Sequence, residues 1–329
     1  MTDRYRRAEL DLDLLPPRHE VDQLALGEHR NPHGVLGAHP AGPDTVVRTW
    51  QPGASSAWVL VNGERHAMTH VAHGLFVGLV SGRIDDHRLA VERDDRVETI
   101  DDPYRWPSTV NRVDAGLIST GRHERLWEVL GAHERTRKTP HGPVSGVSFA
   151  VWAPGARGVR VAGDFNGWDG RRTPMRSLDT SGVWEVFVPG VAAGCRYKFR
   201  VLGRDGAWHE HADPVAFATE RPPATASVVS TSNHSWHDQD WMARRAGTDW
   251  SAEPVSIYEV HLGSWRPGLS YRDIAKSLGE YVREMGFTHV ELLPVTEHPF
   301  AGSWGYQVTS YFAPTARFGS PDEIRYLVD

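Results

Sequence analysis

The first two-thirds of the chain is written twice. LGEH (Leu26 to His29) recurs as LGAH (Leu130 to His133) at an offset of 104, and Trp50-Gln51-Pro52-Gly53-Ala54 recurs as Trp152-Ala153-Pro154-Gly155-Ala156 at an offset of 102. HGLFVGLVSG (His73 to Gly82) then matches SGVWEVFVPG (Ser181 to Gly190) at 108, and Asp102-Pro103 matches Asp213-Pro214 at 111. The slow drift is what loop insertions produce. A period of roughly one hundred residues is too long for a solenoid repeat, so the pattern implies a duplicated domain.

Each copy has the signature of an all-β domain. In RYKFRVL (Arg196 to Leu202), Tyr197, Phe199 and Val201 alternate with Arg196, Lys198 and Arg200, as in a half-buried strand. VSFAVWAP (Val147 to Pro154) alternates likewise. Short strands between Gly, Pro and Asp turns suggest a sandwich. GRHERLWEVLGAH (Gly121 to His133) reads as a short helix opening the second copy, and the polar stretch Asn233 to Pro254 reads as a connector.

Beyond the connector the pattern changes to strand, helix, strand, helix. SIYEVHLG (Ser256 to Gly263) is a strand, after which Ser270 caps a helix whose Tyr271, Ile274, Leu278, Tyr281, Val282 and Met285 share one face. Ser270 with Asp273 gives the start signal, and Gly286 gives the stop. THVELLPV (Thr288 to Val295) is nearly apolar, as in a parallel strand buried on both faces. Ser320-Pro321-Asp322-Glu323 starts a second helix. A βαβ unit of this kind can open either a doubly wound sheet or a barrel. The first strand is not followed by G-x-G-x-x-G, which disfavours dinucleotide binding.

Composition excludes several classes. A net charge of −6 argues against a nucleic-acid partner, which calls for a basic stripe. The single cysteine, Cys195, fits a reducing compartment. Neither a signal-peptide pattern nor an apolar run long enough to span a bilayer occurs, so the expectation is a cytoplasmic protein without membrane contact. HEHAD (His209 to Asp213) lacks metal-site spacing, and Asp164, Asn166 and Asp169 fail the calcium-loop spacing. Neither a metal nor a cofactor is expected.

The tandem repeats, YEVHLGSWR (Tyr258 to Arg266), VELLPVTEHPF (Val290 to Phe300) and WGYQ (Trp304 to Gln307) together resemble the 1,4-α-glucan branching enzymes of the α-amylase superfamily, glycoside hydrolase family 13. The resemblance runs from His19 to Asp329, and the two repeats are similar to carbohydrate-binding modules of family 48. It implies a multidomain chain: a tail (1–18), two immunoglobulin-like β-sandwiches (19–118 and 119–232), a linker (233–252) and the first two βα units of an incomplete (β/α)8 TIM barrel (253–329). A whole barrel takes about 250 residues. The expectation is therefore that the catalytic Asp and Glu of the family's retaining mechanism follow later strands, that no residue here is catalytic, and that this chain alone is inactive. Glu259 and Glu291, inside the strands, are expected to be structural, and Glu297 to order its loop or line the site.

The resemblance also implies the binding residues. Tyr306 matches the family tyrosine that lies beneath the donor glucose ring, with Trp304, Gln307 and His298 lining the same rim. Trp168, Lys198 and Trp208 match the two aromatic platforms and the lysine of a family-48 module, although an asparagine usual near the module's end is replaced around Ala226-Ser227, and the resemblance leaves open equally that the module binds glucan or serves mainly to pack on the barrel. The first repeat has VNGERH (Val61 to His66) where the second has FNGW, so it is expected to be structural. The expected partner is an α-glucan such as glycogen, and the expected state of the intact protein is a monomer. Two alternatives stand beside branching: a trehalose-releasing or debranching hydrolase of the same superfamily, against which Gln307 argues in the first case, and a non-catalytic glucan-binding scaffold.

Overall fold

The computed structural model describes residues 14–329, so most of the expected amino-terminal tail lies outside the described residues. Contacts divide the chain into one unit through His211 and another from Ala212 to Asp329.

The first unit contains both repeats. The first repeat opens with α1 (Arg18–Leu26) and continues through β1 (Gly37–Ala41), β2 (Asp44–Trp50), β3 (Ser56–Val61), β4 (Glu64–Ala67), β5 (Thr69–Ala72), β6 (Leu75–Val80), β7 (Arg88–Arg93) and β8 (Arg96–Ile100). These strands form two antiparallel sheets, β1-β2-β6-β5 and β4-β3-β7-β8. Because side chains alternate along a strand, β2 sends Val46 and Trp50 to one side and Val47 to the other. Val46 and Trp50 pack with Val21 and Leu24 of α1, whereas Val47 joins Val59, Phe76, Leu89 and Val91 between the sheets. The β1-β2-β6-β5 sheet is thus buried on both faces, by its partner sheet and by α1.

The second repeat follows the same plan: α2 (Arg112–Ser119), β9 (Gly131–Thr139), β10 (Gly142–Trp152), β11 (Gly158–Gly163), β12 (Arg176–Ser177), β13 (Val183–Pro189), β14 (Arg196–Leu202) and β15 (Trp208–His211). Its β12-β13-β10-β9 sheet reproduces β5-β6-β2-β1, and β11-β14-β15 reproduces β3-β7-β8. The expected alternation holds through the first part of β14, where Tyr197 and Phe199 are buried and Arg196 is exposed, but ends with Val201 half-buried and Leu202 buried.

Two readings of the sequence are corrected. Gly121 to His133 is not a helix: it holds one 3-10 turn, Leu126–Glu128, and the helix of the second repeat lies earlier, capped by the Asn111 side chain on the Asp114 amide. The true counterpart of LGAH at Leu130 is Leu36-Gly37-Ala38-His39, because both stretches start the first strand of their repeat. Both histidines also bond the carbonyl three residues back, His39 to Leu36 and His133 to Leu130, each at 2.9 Å. The duplicated unit therefore begins at the helix. His29 and His123 follow α1 and α2, and each Nδ1 accepts the backbone N–H two residues on. Cys195 lies in the turn before β14.

In the second unit, β16 (Ala218–Thr219) pairs with β17 (Ser227–Val228), and the expected connector contains the exposed helix α3 (Gln239–Gly247). Next come β18 (Ile257–Val260), the single turn α4 (Leu262–Trp265), α5 (Tyr271–Glu284), β19 (His289–Leu292), β20 (Thr296–Glu297), β21 (Ser310–Pro314) and α6 (Pro321–Val328). The Ser270–Asp273 capping box starts α5 as expected, and Gly286 follows its end at φ 77°. Tyr271, Ile274 and Leu278 are buried beside Val260 and Leu262. β18 and β19 are parallel, with Glu259 opposite Glu291.

Among the described residues no barrel is seen; the second unit is a short mixed α/β segment. The strands are shorter than expected and not buried on both faces, since Ile257 is 53% and Val290 41% exposed. Two strands give each other only one hydrogen-bonding edge; α5 packs on the face with Tyr258 and Val260, while Ile257, Glu259 and Glu291 are exposed on the other.

Candidate functional site

The second unit places its candidate site just past the carboxyl end of β19. Glu297 organises this loop. It is 4% exposed, and its Oε1 accepts from the His298 amide (2.9 Å), Thr315 Oγ1 (3.1 Å) and Arg317 Nη1 (2.7 Å). Its Oε2 accepts from the Ala316 amide (2.7 Å) and Thr219 Oγ1 (3.2 Å). Five donors around one buried carboxylate hold the two limbs of the excursion together. Of the two roles expected for Glu297, loop-ordering is the one its contacts serve.

His298 is buried, and its Nδ1 lies 3.0 Å from the Thr296 carbonyl, which fixes that nitrogen as the donor. Nε2 is left to act on whatever enters a concavity of about 730 Å3 lined by His298, His261, Arg317, Phe318 and Ser270. His261, at the end of β18, stacks on Trp304 with ring centroids 4.8 Å apart and an interplanar angle of 15°. Burial, and then the charge of His298, hold the His261 pKa below the ordinary histidine value. The lining contains no carboxylate.

The WGYQ turn depends on its glycine. Gly305 has φ +88°, and a Cβ there would lie 2.7 Å from the Pro294 carbonyl oxygen. This close, left-handed backbone lets the residues on either side project outward: Trp304 is 52% and Tyr306 67% exposed. Gln307 is exposed as well. The structure thus brings His298, His261 and Trp304 together, and Tyr306 and Gln307 follow Trp304 in the same exposed turn. Sequence reasoning missed His261 and Arg317. The signal for His261 was present, since it ends YEVH at the carboxyl end of a parallel strand, where such folds build sites.

The second candidate lies on the outer face of β14. Lys198 stands opposite Ala162, Arg200 opposite Arg160 and Glu210, and Leu202 opposite Trp208. At one end Trp168, in a left-handed turn at φ 62°, donates Nε1 to Asp164 (3.2 Å), which Arg196 also holds. Those bonds from Arg196 keep the Asp164 pKa below the usual carboxylate range. In the middle, Lys198 Nζ lies 3.0 Å from Glu210. At the other end Arg160 sits 4.2 Å from the Trp208 ring centroid.

Lys198 and Leu202 are four residues apart, about 13 Å along an extended strand. Trp168, Lys198 and Trp208 therefore form a row along one face rather than a cluster. Trp208 is also engaged from the first repeat, since a Cβ on Gly27, which caps α1, would lie 2.7 Å from its indole. Arg157 pairs with Glu28 at 2.6 Å, and the Ser177 amide donates to the Arg30 carbonyl at 2.7 Å, so the joint extends beyond Trp208.

Comparison with known families bears on the open alternatives. Residues 17–104 match the model of the alpha-1,4-glucan branching enzyme GlgB amino-terminal domain, and residues 129–216 match carbohydrate-binding module 48, the isoamylase N-terminal domain. Over nearly its whole length the chain is similar to the amino-terminal part of the 1,4-alpha-glucan branching enzymes. It is 58% identical over 317 residues to the GlgB branching enzyme of Frankia casuarinae, covering 95% of this chain and 39% of that protein. The enzyme of Thermobifida fusca is 60% identical over 314 residues, 94% of this chain and 42% of the relative. That of Mycobacterium bovis is 55% identical over 318 residues, 96% and 44%. The chain thus spans about two-fifths of the length of the branching enzymes it matches. Among the described residues, no helix is long and apolar enough to cross a membrane.

Proposed function

We propose that the chain supplies the glucan-facing front of a glycogen branching enzyme, which cleaves an α-1,4-glucan and rejoins the segment through an α-1,6 bond by a retaining double displacement. In this reading β18, α5, β19 and α6 are the first two βα units of a (β/α)8 barrel, and the concavity past β19 is part of its donor-side rim. The observation that carries the proposal is the grouping of His298, His261 and Trp304 past the carboxyl ends of two parallel strands, with Tyr306 two residues on from Trp304 in the same exposed turn, in a chain matched over nearly its whole length by branching enzymes.

The chemistry follows from the side chains. Tyr306 offers an exposed aromatic face to the C–H side of a glucose ring and a hydroxyl to its polar rim. The His298 ring, locked by Thr296, presents Nε2 to a sugar hydroxyl. The lining of this concavity contains no carboxylate, so the acid pair of the displacement comes from other residues and the groups named here position the sugar. Trp168, in the turn after β11, and Lys198, on β14, are the half-buried glucan contacts, and Trp208 serves mainly to join the repeats. Replacing Tyr306 with Ala in a full-length enzyme, assayed by the iodine spectrum of amylose, is expected to lower turnover at least about tenfold; near-normal turnover would remove Tyr306 from the donor site.

A further inference from the structure

Where the two sandwiches meet, a cleft of about 380 Å3 opens between β7–β8 of the first repeat and the loop after β11 in the second. Two guanidinium groups line it. Arg93, at the end of β7, donates Nη2 to Gln51 Oε1, and its Nε is buried with no hydrogen-bond partner. Arg172 donates Nη2 to the Asn166 carbonyl at 2.8 Å. Neither arginine has an ion-pair partner among the described residues. Burial, and then the charge of Arg172, hold the Arg93 pKa below the ordinary arginine value.

The surrounding carboxylates offset this pair only through space, Asp169 included, which is bridged to Arg171 and acts on Arg172 without a bond. Asp101, on the cleft wall, is already bridged to Arg105 at 2.6 Å. Glu98, also on the wall, and Asp94 act on Arg93 only through space, and both are exposed. The Asn166 side chain is spent on the Gly163 amide, the Val161 carbonyl and Thr173, and the Thr173 hydroxyl donates to the Val161 carbonyl at 2.5 Å. Two like charges kept together and half removed from water cost free energy unless an anion offsets them.

We infer that this cleft binds a small phosphorylated ligand, a phosphate monoester whose dianion is held between the Arg93 and Arg172 forks while its polar body lies against Phe165 and Ile100. Planar guanidinium forks match phosphate oxygens in pairs. The volume falls within the range of small-molecule sites, larger than phosphate alone would fill. The cleft shares Phe165 and Asn166 with the turn that carries Trp168, but neither Trp168, Lys198 nor Trp208 lines it, so this inference does not depend on how those side chains are used.

The test is calorimetric titration of the 329-residue chain with glucose 6-phosphate, inorganic phosphate and glucose. The expected result is saturable binding of the ester that weakens with added salt, weaker binding of inorganic phosphate, and none of glucose. Arg172→Gln, which gives up one bond to a loop carbonyl, should weaken the ester about tenfold or more without lowering the melting temperature. Arg93→Gln should do the same, and if that variant fails to fold, Arg172→Gln still decides. Absence of saturable binding at millimolar ester, equal binding of glucose or of inorganic phosphate, or an unchanged affinity in Arg172→Gln would each overturn the inference.

Discussion

Glu297→Gln alters one polar atom and tests whether this carboxylate builds the rim. The carboxylate accepts from five donors, two of them backbone amides at 2.9 and 2.7 Å and one the Arg317 guanidinium at 2.7 Å. A glutamine offers one acceptor oxygen, so its NH2 must face either the Ala316 amide or the group formed by the His298 amide and Arg317. In both orientations a buried N–H loses its acceptor, which costs about 1–3 kcal/mol, and Arg317 loses its counter-charge. Breaking a buried ion pair from one side costs about 3–5 kcal/mol. Here Arg317 is 17% and Glu297 6% exposed at the side chain, so water screens part of that loss. The two losses overlap, and a total near 3 kcal/mol is expected.

That loss falls on the excursion that carries His298 and WGYQ. Hydrogen exchange at the His298 and Ala316 amides should accelerate on the order of a hundredfold, while protection in β10 and β13 stays as it was. Trp304 fluorescence should shift as its stacking on His261 is released. Exchange within about threefold of the parent would refute the reasoning, because the carboxylate would then be a passenger and the loop would be held by its β20–β21 pairing alone.

Three further outcomes follow from the geometry. The His33 pKa is lowered to about 3, first by burial and then by Arg176, so the folded state refuses a proton that the unfolded chain accepts below about 6.5; stability falls as pH drops from there, by about 2 kcal/mol at pH ~5, and His33→Leu should remove that increment when urea midpoints are compared at the two pH values. Gly305→Ala should destabilise the rim by about 1–3 kcal/mol, read as faster exchange in the 293–319 stretch, and parent-like exchange would show that the turn tolerates a side chain. Glucan affinity of the chain should fall with Trp168→Ala and change little with Trp208→Ala, whereas Trp208→Ala should lower the melting temperature; the reverse pattern would make Trp208 the platform.

Alternation and capping made much of the fold legible. The strict period of Arg196 to Leu202 placed Tyr197 and Phe199 inward, and Ser270 with Asp273 located the start of α5. The register of the duplication was harder to read. LGEH at Leu26 and LGAH at Leu36 both carry a left-handed glycine, Gly27 at φ 78° and Gly37 at φ 91°, one ending a helix and the other starting a strand. Three matching letters in four cannot separate those two uses of glycine. The Leu126, Val129 and Leu130 spacing imitated a helix in the same way, although the cap that starts one is Asn111. Exposure of β18 and β19 could not be foreseen from residue type, because a strand's burial depends on neighbours that other residues supply.

The engagement of Trp208 bears on why the first repeat lacks a loop tryptophan. Asn62 and Gly63 make a two-residue turn with φ 49° and 87°, a compact hairpin without room for the aromatic that FNGW displays. What the first repeat supplies instead is α1, which covers its own β1-β2-β6-β5 sheet with Val21 and Leu24 and lays Gly27 against Gly158 and Trp208 of the second. Gly158 needs no side chain there because the Gly27 carbonyl occupies the space a Cβ would take. One copy has thus become the brace of the other, and the brace fixes the end of the β14 row opposite Trp168. If that is the division of labour, Gly158→Ala should push α1 away and destabilise the first unit by about 1–3 kcal/mol while leaving the Trp168 turn, five residues along β11, able to bind; loss of glucan affinity with no loss of stability would assign the joint to binding instead.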